Sequence, residues 1–365
     1  MNKYLCAVIL ILILSCKSKK INSTTSQDLI IPTVLDKYQD SLKEKRFGIA
    51  ALVKHNNMTE TYAIGIAGDS TLMTPDKVFN IGSMSKLFTA VLIMQEIERN
   101  NISLSDSLFH FFPPSLVKNE NVDLNINIEQ LLRHESGLGE VLIDTLANES
   151  LLNPYFEYNN NNLFDKIPQP IFEPGKKYHY TNTNFILLGY ILEATTNKSY
   201  HTLLKERIFN PSNMVQSYPY YSPAITNAAH PMFDGVDYTD QINYKYYQYY
   251  CYAAGGIAST LIDLQKFFVH LFEKKTFLKQ EYVDLMVDTN SEYGLGIQIT
   301  KSTKHNYKYY GHAGDNFSFA LQDFYDPNNG DMVIVFSNQF VDPYTFQVAN
   351  DLIKVLLKNK NMSNQ

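Results

Sequence analysis

Tryptophan is absent from the 365 residues, and cysteine occurs three times, as Cys6, Cys16 and Cys251. With no tryptophan, the large aromatic side chains of any core must come from 26 tyrosines and 22 phenylalanines. Basic residues are in deficit, 31 against 37 acidic, giving a formal charge of -6. No basic face stands out beyond the N-terminus, which argues against a nucleic-acid partner. The nine histidines include no His-Glu-x-x-His pattern and no spacing that suggests a zinc site. A hydrophobic content of 45% and a charged content of 19% are those of a folded globular chain and exclude a disordered one. Its length suffices for a sizeable core.

Long apolar runs are also lacking, with one exception at the start. Residues 5–14 form a short apolar stretch after Lys3, and Ser15-Cys16 follows it. The stretch is too short for a comfortable membrane span and reads as a targeting segment. Ile13-Leu14-Ser15-Cys16 resembles the lipobox of bacterial lipoproteins. That implies cleavage after residue 15, lipidation of Cys16, and a polar tether over 16–28 leading from the membrane of a bacterial cell envelope to the folded domain. Only Cys251 then remains in the folded part. It leaves no internal disulfide, and it sits in the tyrosine-dense stretch 244–252 as a small packed side chain rather than a nucleophile.

Along the chain, apolar spacing predicts a first helix over 34–45 and two strands, 47–53 and 59–67, joined around Asn56-Asn57. Residues 87–97 read as an apolar helix. The middle, 101–290, has little strand character, with helices at 128–133 and 185–196 and another opened by a capping box at Thr260 and running to 271. The asparagine-rich 155–162 reads as a loop. Strands return at 293–300, 307–310, 317–325 and 332–337, and a closing helix covers 345–357. The simplest assembly is an α+β fold: one antiparallel sheet from the N- and C-terminal strands, flanked by the terminal helices, with the helical middle inserted. The domain so defined covers 29–360, its α/β part being 29–100 and 291–360, with 361–365 as a tail.

Ser83 and Lys86 stand three apart at the start of the 87–97 helix, which puts them one turn apart on one face. A serine hydroxyl needs a base to become a nucleophile, and a lysine in a partly dry site can be that base or sustain one. The spacing alone is weak: Ser115 and Lys118 repeat it in a loop after Pro113-Pro114. Such a site also needs a proton shuttle, a group to hold the substrate amide, and an oxyanion hole. Tyr180-Thr181-Asn182 supplies the first two, although Tyr158-Asn159-Asn160 repeats that pattern too. His312-Ala313-Gly314 places a hydrogen-bonding residue and a glycine where substrate must approach closely.

The order Ser-x-x-Lys, Tyr-x-Asn, His-x-Gly at 83, 180 and 312 resembles the serine β-lactamase and penicillin-binding superfamily, in its class C β-lactamase and DD-peptidase branch. Further segments carry the likeness: 128–138 with His134 and Ser136-Gly137-Leu138, Pro174-Gly175 before Tyr180, Ala254-Gly255-Gly256, and Tyr293-Gly294-Leu295-Gly296. The resemblance implies a β-lactamase/transpeptidase-like fold and no cofactor or metal. It implies Ser83 as the acylated nucleophile, with Lys86 and Tyr180 as a proton relay in which Lys86 favours the Tyr180 phenolate. Asn182 would hold the substrate amide and His312 would face a substrate carboxylate or Tyr180. Gly314 would give close approach, and the backbone N–H groups of Ser83 and Asp315 would form the oxyanion hole. His134 and Ser136 read as turn and cap residues.

The function this implies is a lipid-anchored serine hydrolase acting through an acyl-enzyme on D-Ala-D-Ala-type or other small peptides, peptidoglycan fragments among them, or on esters. A β-lactamase is the alternative, and a silent wall-binding or sensor module is the alternative of another class. One departure bears on substrate. Class C β-lactamases have lysine where this chain has His312, and a neutral imidazole binds a carboxylate less firmly than an ammonium. Asp315 beside Gly314 would repel a carboxylate or recruit an amine.

Overall fold

The computed structural model describes residues 30–69, 71–142, 163–302, 307–316, 318–339 and 343–363. Cys16, the leader and tether, the loop expected at 155–162 and the second Tyr-x-Asn at Tyr158 lie outside them. Strand β1 (Gly48–His55) is buried from Gly48 to Lys54, because both faces of the sheet are covered. Ile49, Ala51 and Val53 pack on one side with Val34, Leu35, Val348 and Leu352 of the terminal helices Ile30–Leu35 and Pro343–Ser363. Ala50 and Leu52 turn to the other side, into the larger core with Phe79, Leu87 and Phe88. Successive residues of a strand point to opposite faces, so a continuous apolar run is what a doubly covered strand requires.

Strand β1 pairs with β2 (Met58–Gly68) through a hairpin at Asn56 and Asn57, both at positive φ, as a tight hairpin turn demands. Then come β3 (Thr71–Leu72), β4 (Phe79–Asn80), β5 (Met232–Phe233), β6 (Val236–Asp237), β7 (Ala258–Ser259), β8 (Gln298–Ser302), β9 (Tyr307–Gly311), β10 (Gly314–Asn316), β11 (Phe319–Tyr325) and β12 (Met332–Ser337). Among the described residues the main sheet has eight antiparallel strands in the order β3-β2-β1-β12-β11-β9-β8, with β10 on β11. The N-terminal hairpin thus joins the C-terminal strands in one sheet of an α+β fold, as the pattern implied. Between them run mainly helices, with two small sheets, β4-β7 and β5-β6.

Three elements differ from the sequence pattern. The helix over 34–45 is broken into Ile30–Leu35, a 3-10 turn and Gln39–Lys45. The strand over 293–300 begins only at Gln298, because the chain turns at Gly294-Leu295-Gly296. Gly296 has φ +73, and a Cβ on Gly294 would lie 2.1 Å from the Met286 carbonyl. The strand over 317–325 is a hairpin arm starting at Phe319, with β10 as the other arm. The tyrosine-dense stretch forms the helix Tyr244–Gly255, non-helical at Tyr252, whose ring packs on Tyr190 and Tyr200. Gly189 leaves room for that ring. Cys251 on this helix is buried, and burial pushes its thiol up to about 11, which suits a packed side chain.

Candidate active site

Ser83 sits on the 3-10 turn Gly82–Met84 that leads into the helix Ser85–Glu98. Two glycines let β10 lie directly against this turn. A Cβ on Gly82, at φ +52, would come 2.7 Å from the Asp315 carbonyl, and one on Gly314 would come 2.0 Å from that of Ile81. Asn80 pins the turn by accepting from Gly82 N–H at 2.7 Å and donating to the Gly255 carbonyl at 3.2 Å. Asn316 of β10 donates to the same Asn80 oxygen at 2.9 Å. The backbone of Asp315 is therefore held beside Ser83.

Lys86, one turn on, is fully buried. Its Nζ lies 3.0 Å from Ser83 Oγ, 2.7 Å from Asn182 Oδ1 and 2.7 Å from the Ala254 carbonyl. Burial lowers its pKa to about 7, against the nearby Glu140 carboxylate, which favours the charge. A neutral amine fits these partners. Two N–H groups serve the two carbonyl-type oxygens, and the lone pair faces the serine hydroxyl.

The Tyr180 hydroxyl lies beside Ser83, and its ring centroid is 4.9 Å from Lys86 Nζ. The phenolate expected from the sequence is not what this environment favours. Burial pushes the Tyr180 phenol above its ordinary value of 10, with only the neighbouring Ser83 hydroxyl acting the other way. Desolvation penalises charge on lysine and tyrosine alike, so above about pH 7 the pair is a neutral amine beside a neutral phenol.

Asn182 opens the helix Asn182–Thr196 behind the cap Thr181, and its side chain is occupied at both ends. Oδ1 accepts from Lys86, while Nδ2 and the backbone N–H donate to Glu140 Oε2 at 3.1 and 2.8 Å. It thereby couples Lys86 to Glu140. Glu140 is the residue the sequence reading missed. It follows Ser136-Gly137-Leu138-Gly139, a half-buried acid immediately after a glycine, and nothing in its spacing to Ser83 marks it. Thr183 fixes that segment, donating to the Gly139 carbonyl at 2.8 Å and accepting from Val141 N–H at 2.9 Å.

His312 is engaged by the protein at both ring nitrogens. It is 1% exposed, its Nε2 bonds Tyr293 Oη at 2.9 Å and its Nδ1 bonds the Ala313 carbonyl at 2.8 Å. Both nitrogens are spent on protein groups, and its ring centroid lies 6.2 Å from that of Tyr180. Burial, helped by Lys86, lowers its pKa to about 3. His134 and Ser136 are buried too. His134, at φ 58, is a turn residue, and Ser136 Oγ accepts from Leu138 N–H at 3.1 Å. Ser115 and Lys118 lie in an exposed turn.

Beside the site, a cleft of about 470 Å³ runs along β8 between Tyr178, Glu292, Gln298 and Lys301, with Tyr293 in its wall. Among the described residues one group has the makings of a metal site, Asp69, His230 and Asp237. His230 Nδ1 and Asp237 Oδ2 already bond each other at 2.6 Å, and none of the three bonds to Ser83, Lys86 or Tyr180.

Comparison with known proteins bears on the family and the fold. The family described as Beta-lactamase matches residues 34–358. The putative penicillin-binding protein PbpX of Bacillus subtilis is 23% identical over 337 residues, covering 88% of this chain and 78% of its own length. D-aminopeptidase of Brucella anthropi is 28% identical over 170 residues, 46% of this chain and 31% of that protein. Penicillin-binding protein 4 of Amycolatopsis lactamdurans is 28% identical over 151 residues, 41% of this chain and 38% of that protein. The matches thus span about a third of those two relatives. Among solved structures, D-amino acid amidase from Ochrobactrum anthropi SV3 superposes with a TM-score of 0.76 at 21% identity, covering 91% of this chain and 98% of that one. A D-stereospecific amidohydrolase from Streptomyces sp. gives 0.72 at 20% identity, with 86% and 96% covered.

Proposed function

The chain belongs to the beta-lactamase family and is a serine hydrolase; we propose that it cleaves small amides or peptides whose acyl part carries a free amine, through an acyl-enzyme on Ser83. The observation that carries this reading is Glu140. Its Oε2 accepts from Asn182 N–H and its Oε1 from Leu142 N–H, each at 2.8 Å, which fixes a negative charge near Lys86 at the base of the serine site. Asp315 adds a second carboxylate close to Tyr180, and His312 is neutral and turned inward. Two acids and no presented imidazolium suit an ammonium group and oppose a carboxylate. The relatives described as a D-aminopeptidase and a D-amino acid amidase support the same class.

In this reading the Lys86 amine takes the Ser83 proton as Oγ bonds the substrate carbonyl carbon. The N–H groups of Ser83 and Asp315 hold the oxyanion. Lys86 returns the proton through Tyr180 to the leaving nitrogen as the C–N bond breaks. Water then attacks the ester, giving its proton to the same relay while the acyl carbon–Oγ bond breaks and Ser83 recovers its hydrogen.

The test compares D-alanine p-nitroanilide with its N-acetyl derivative. The free amine should react at least about tenfold faster, equivalent to about 1.4 kcal/mol, and Glu140→Gln should remove the preference. Equal rates, or faster turnover of N-acylated D-Ala-D-Ala, would sink the reading.

We also propose that Cys16 is lipidated and anchors the enzyme in a bacterial cell envelope, with peptidoglycan fragments among its substrates. The Ile13-Leu14-Ser15-Cys16 motif supports this, and among the described residues no helix is long and apolar enough to cross a membrane. Labelled palmitate should enter the wild-type protein in cells and be absent from Cys16→Ala. Equal labelling of both would contradict the anchor.

A further inference from the structure

We propose that Tyr293 and His134 are positioning residues of the Ser83 site: they lock His312 as an Nδ1–H tautomer turned away from substrate and hold the Tyr180 loop against Ser83. The argument rests on a chain of buried hydrogen bonds whose two ends leave each proton one place. At one end the Ala313 carbonyl can only accept, so His312 Nδ1 carries the hydrogen and donates to it at 2.8 Å. A neutral His312 must then accept at Nε2, which makes the Tyr293 hydroxyl the donor at 2.9 Å.

The Tyr293 oxygen in turn accepts from His134 Nε2–H at 3.2 Å, leaving His134 Nδ1 as an acceptor. Two donors arrive there, Thr181 N–H at 3.3 Å and Asn184 Nδ2 at 3.2 Å. At the far end Asn184 Oδ1 accepts from Ser136 Oγ at 2.6 Å, and Ser136 accepts from Leu138 N–H. Starting from the amide donors gives the same order of protons as starting from the carbonyl. No member is left over, which is the condition under which a buried polar network fixes one arrangement.

The network touches the catalytic loop from two sides. Thr181 N–H bonds the His134 ring, His179 N–H bonds the His134 carbonyl at 2.8 Å, and that ring lies 4.3 Å from the Tyr180 ring. Tyr293 therefore links His312, two residues before Gly314, to the loop that carries Tyr180. The titratable groups facing the two histidines are Lys86, His179, Tyr178, Tyr180, Tyr293 and Asp323, whose Oδ1 accepts from His312 N–H at 2.8 Å. Burial lowers both imidazole pKa values, with Lys86 adding to it, so both rings stay neutral.

The tautomers are independent of whether the proposed substrate class is right, so they are read first. The full chain labelled with 15N-histidine is followed by long-range 1H–15N correlation from pH 5 to 8.5, with His134→Asn and His312→Asn assigning the signals. The expected result is His312 in the Nδ1–H form and His134 in the Nε2–H form, neither titrating. An Nε2–H form of His312, or titration of either ring, would overturn the proposal.

Tyr293→Phe then removes one oxygen from the middle of the chain. His312 should begin to titrate toward its ordinary range, and kcat should fall about 10–100-fold below that pH while KM moves less than about threefold. An unchanged pH profile in a folded Tyr293→Phe protein would overturn it. His134→Asn keeps an acceptor near the Nδ1 position and tolerates the positive φ. It should retain at least about ten times the kcat of His134→Ala, and equal loss in the two would count against the assignment.

Discussion

Lys86 Nζ stands 3.0 Å from Ser83 Oγ, fully buried, with its other two bonds fixed on Asn182 and Ala254. A lysine in this position loses its charge at a pH where an exposed lysine keeps it, and its lone pair has one place to go. The acylation rate should therefore rise with pH through about 7, since the folded-state value is depressed and the active amine exists above it. Pre-steady-state acylation between pH 5 and 9 checks this. A flat profile would remove Lys86 as the base.

Lys86→Arg keeps a cation that cannot lose its proton at these pH values. Acylation should fall by about 10³-fold or more with little rise as pH increases. Recovery of rate at high pH would contradict that account.

Tyr180→Phe should lower kcat by about 10²–10⁴-fold and leave KM near wild type, as expected for a group needed while the proton moves. Because burial raises the Tyr180 phenol, the wild-type profile should show no ionisation of Tyr180 below pH 10. An alkaline limb that disappears in Tyr180→Phe would instead favour the phenolate expected from the sequence.

The nucleophile was legible because it rests on spacing: Ser83 and Lys86 one turn apart ahead of an apolar helix. The central strands were legible for a similar reason, since residues 47–53 and 332–337 are the continuous apolar runs that double burial requires. What could not be read was environment. Nothing in the sequence says that Lys86 is wholly dry, and dryness favours the neutral forms of Lys86 and Tyr180 over the charged ones. Long-range pairing was equally hidden. His312 finds Tyr293 19 residues earlier, and Asn182 finds Glu140 across 42 residues. Gly294 and Gly296 belong to a family-like segment, yet their effect on the 293–300 strand follows from the close approach of Met286.

Asp323 should make stability depend on pH in an unusual direction. Its Oδ2 is buried without a hydrogen bond among the described residues, and burial raises its carboxyl to about 8. With the folded value above the unfolded one, the folded state holds a proton between about pH 4 and 8 that the unfolded chain has released. That contribution is full below about pH 4 and is lost as pH rises toward 8. Asp323→Asn should gain melting temperature relative to wild type at pH 9 and lose that gain at pH 4. Parallel pH curves for the two proteins would contradict this.

Glu96 is fully buried and paired with Arg207, Arg99 and Asn101. Arg207→Ala strips the better shielded of the two arginines from it and should cost about 3 kcal/mol, the typical loss when one partner of a buried pair is removed. Denaturant unfolding measures it. Adding Glu96→Gln to Arg207→Ala should recover part of the loss, and strict additivity of the two changes would mean the pair is not coupled.

The central claim is a covalent acyl-enzyme on Ser83. Intact-mass spectrometry after exposure to a fluorophosphonate, followed by peptide mapping, tests it directly. One adduct should form on the peptide containing Ser83 and be lost in Ser83→Ala, whereas no adduct, or an adduct that persists in Ser83→Ala, would contradict the account.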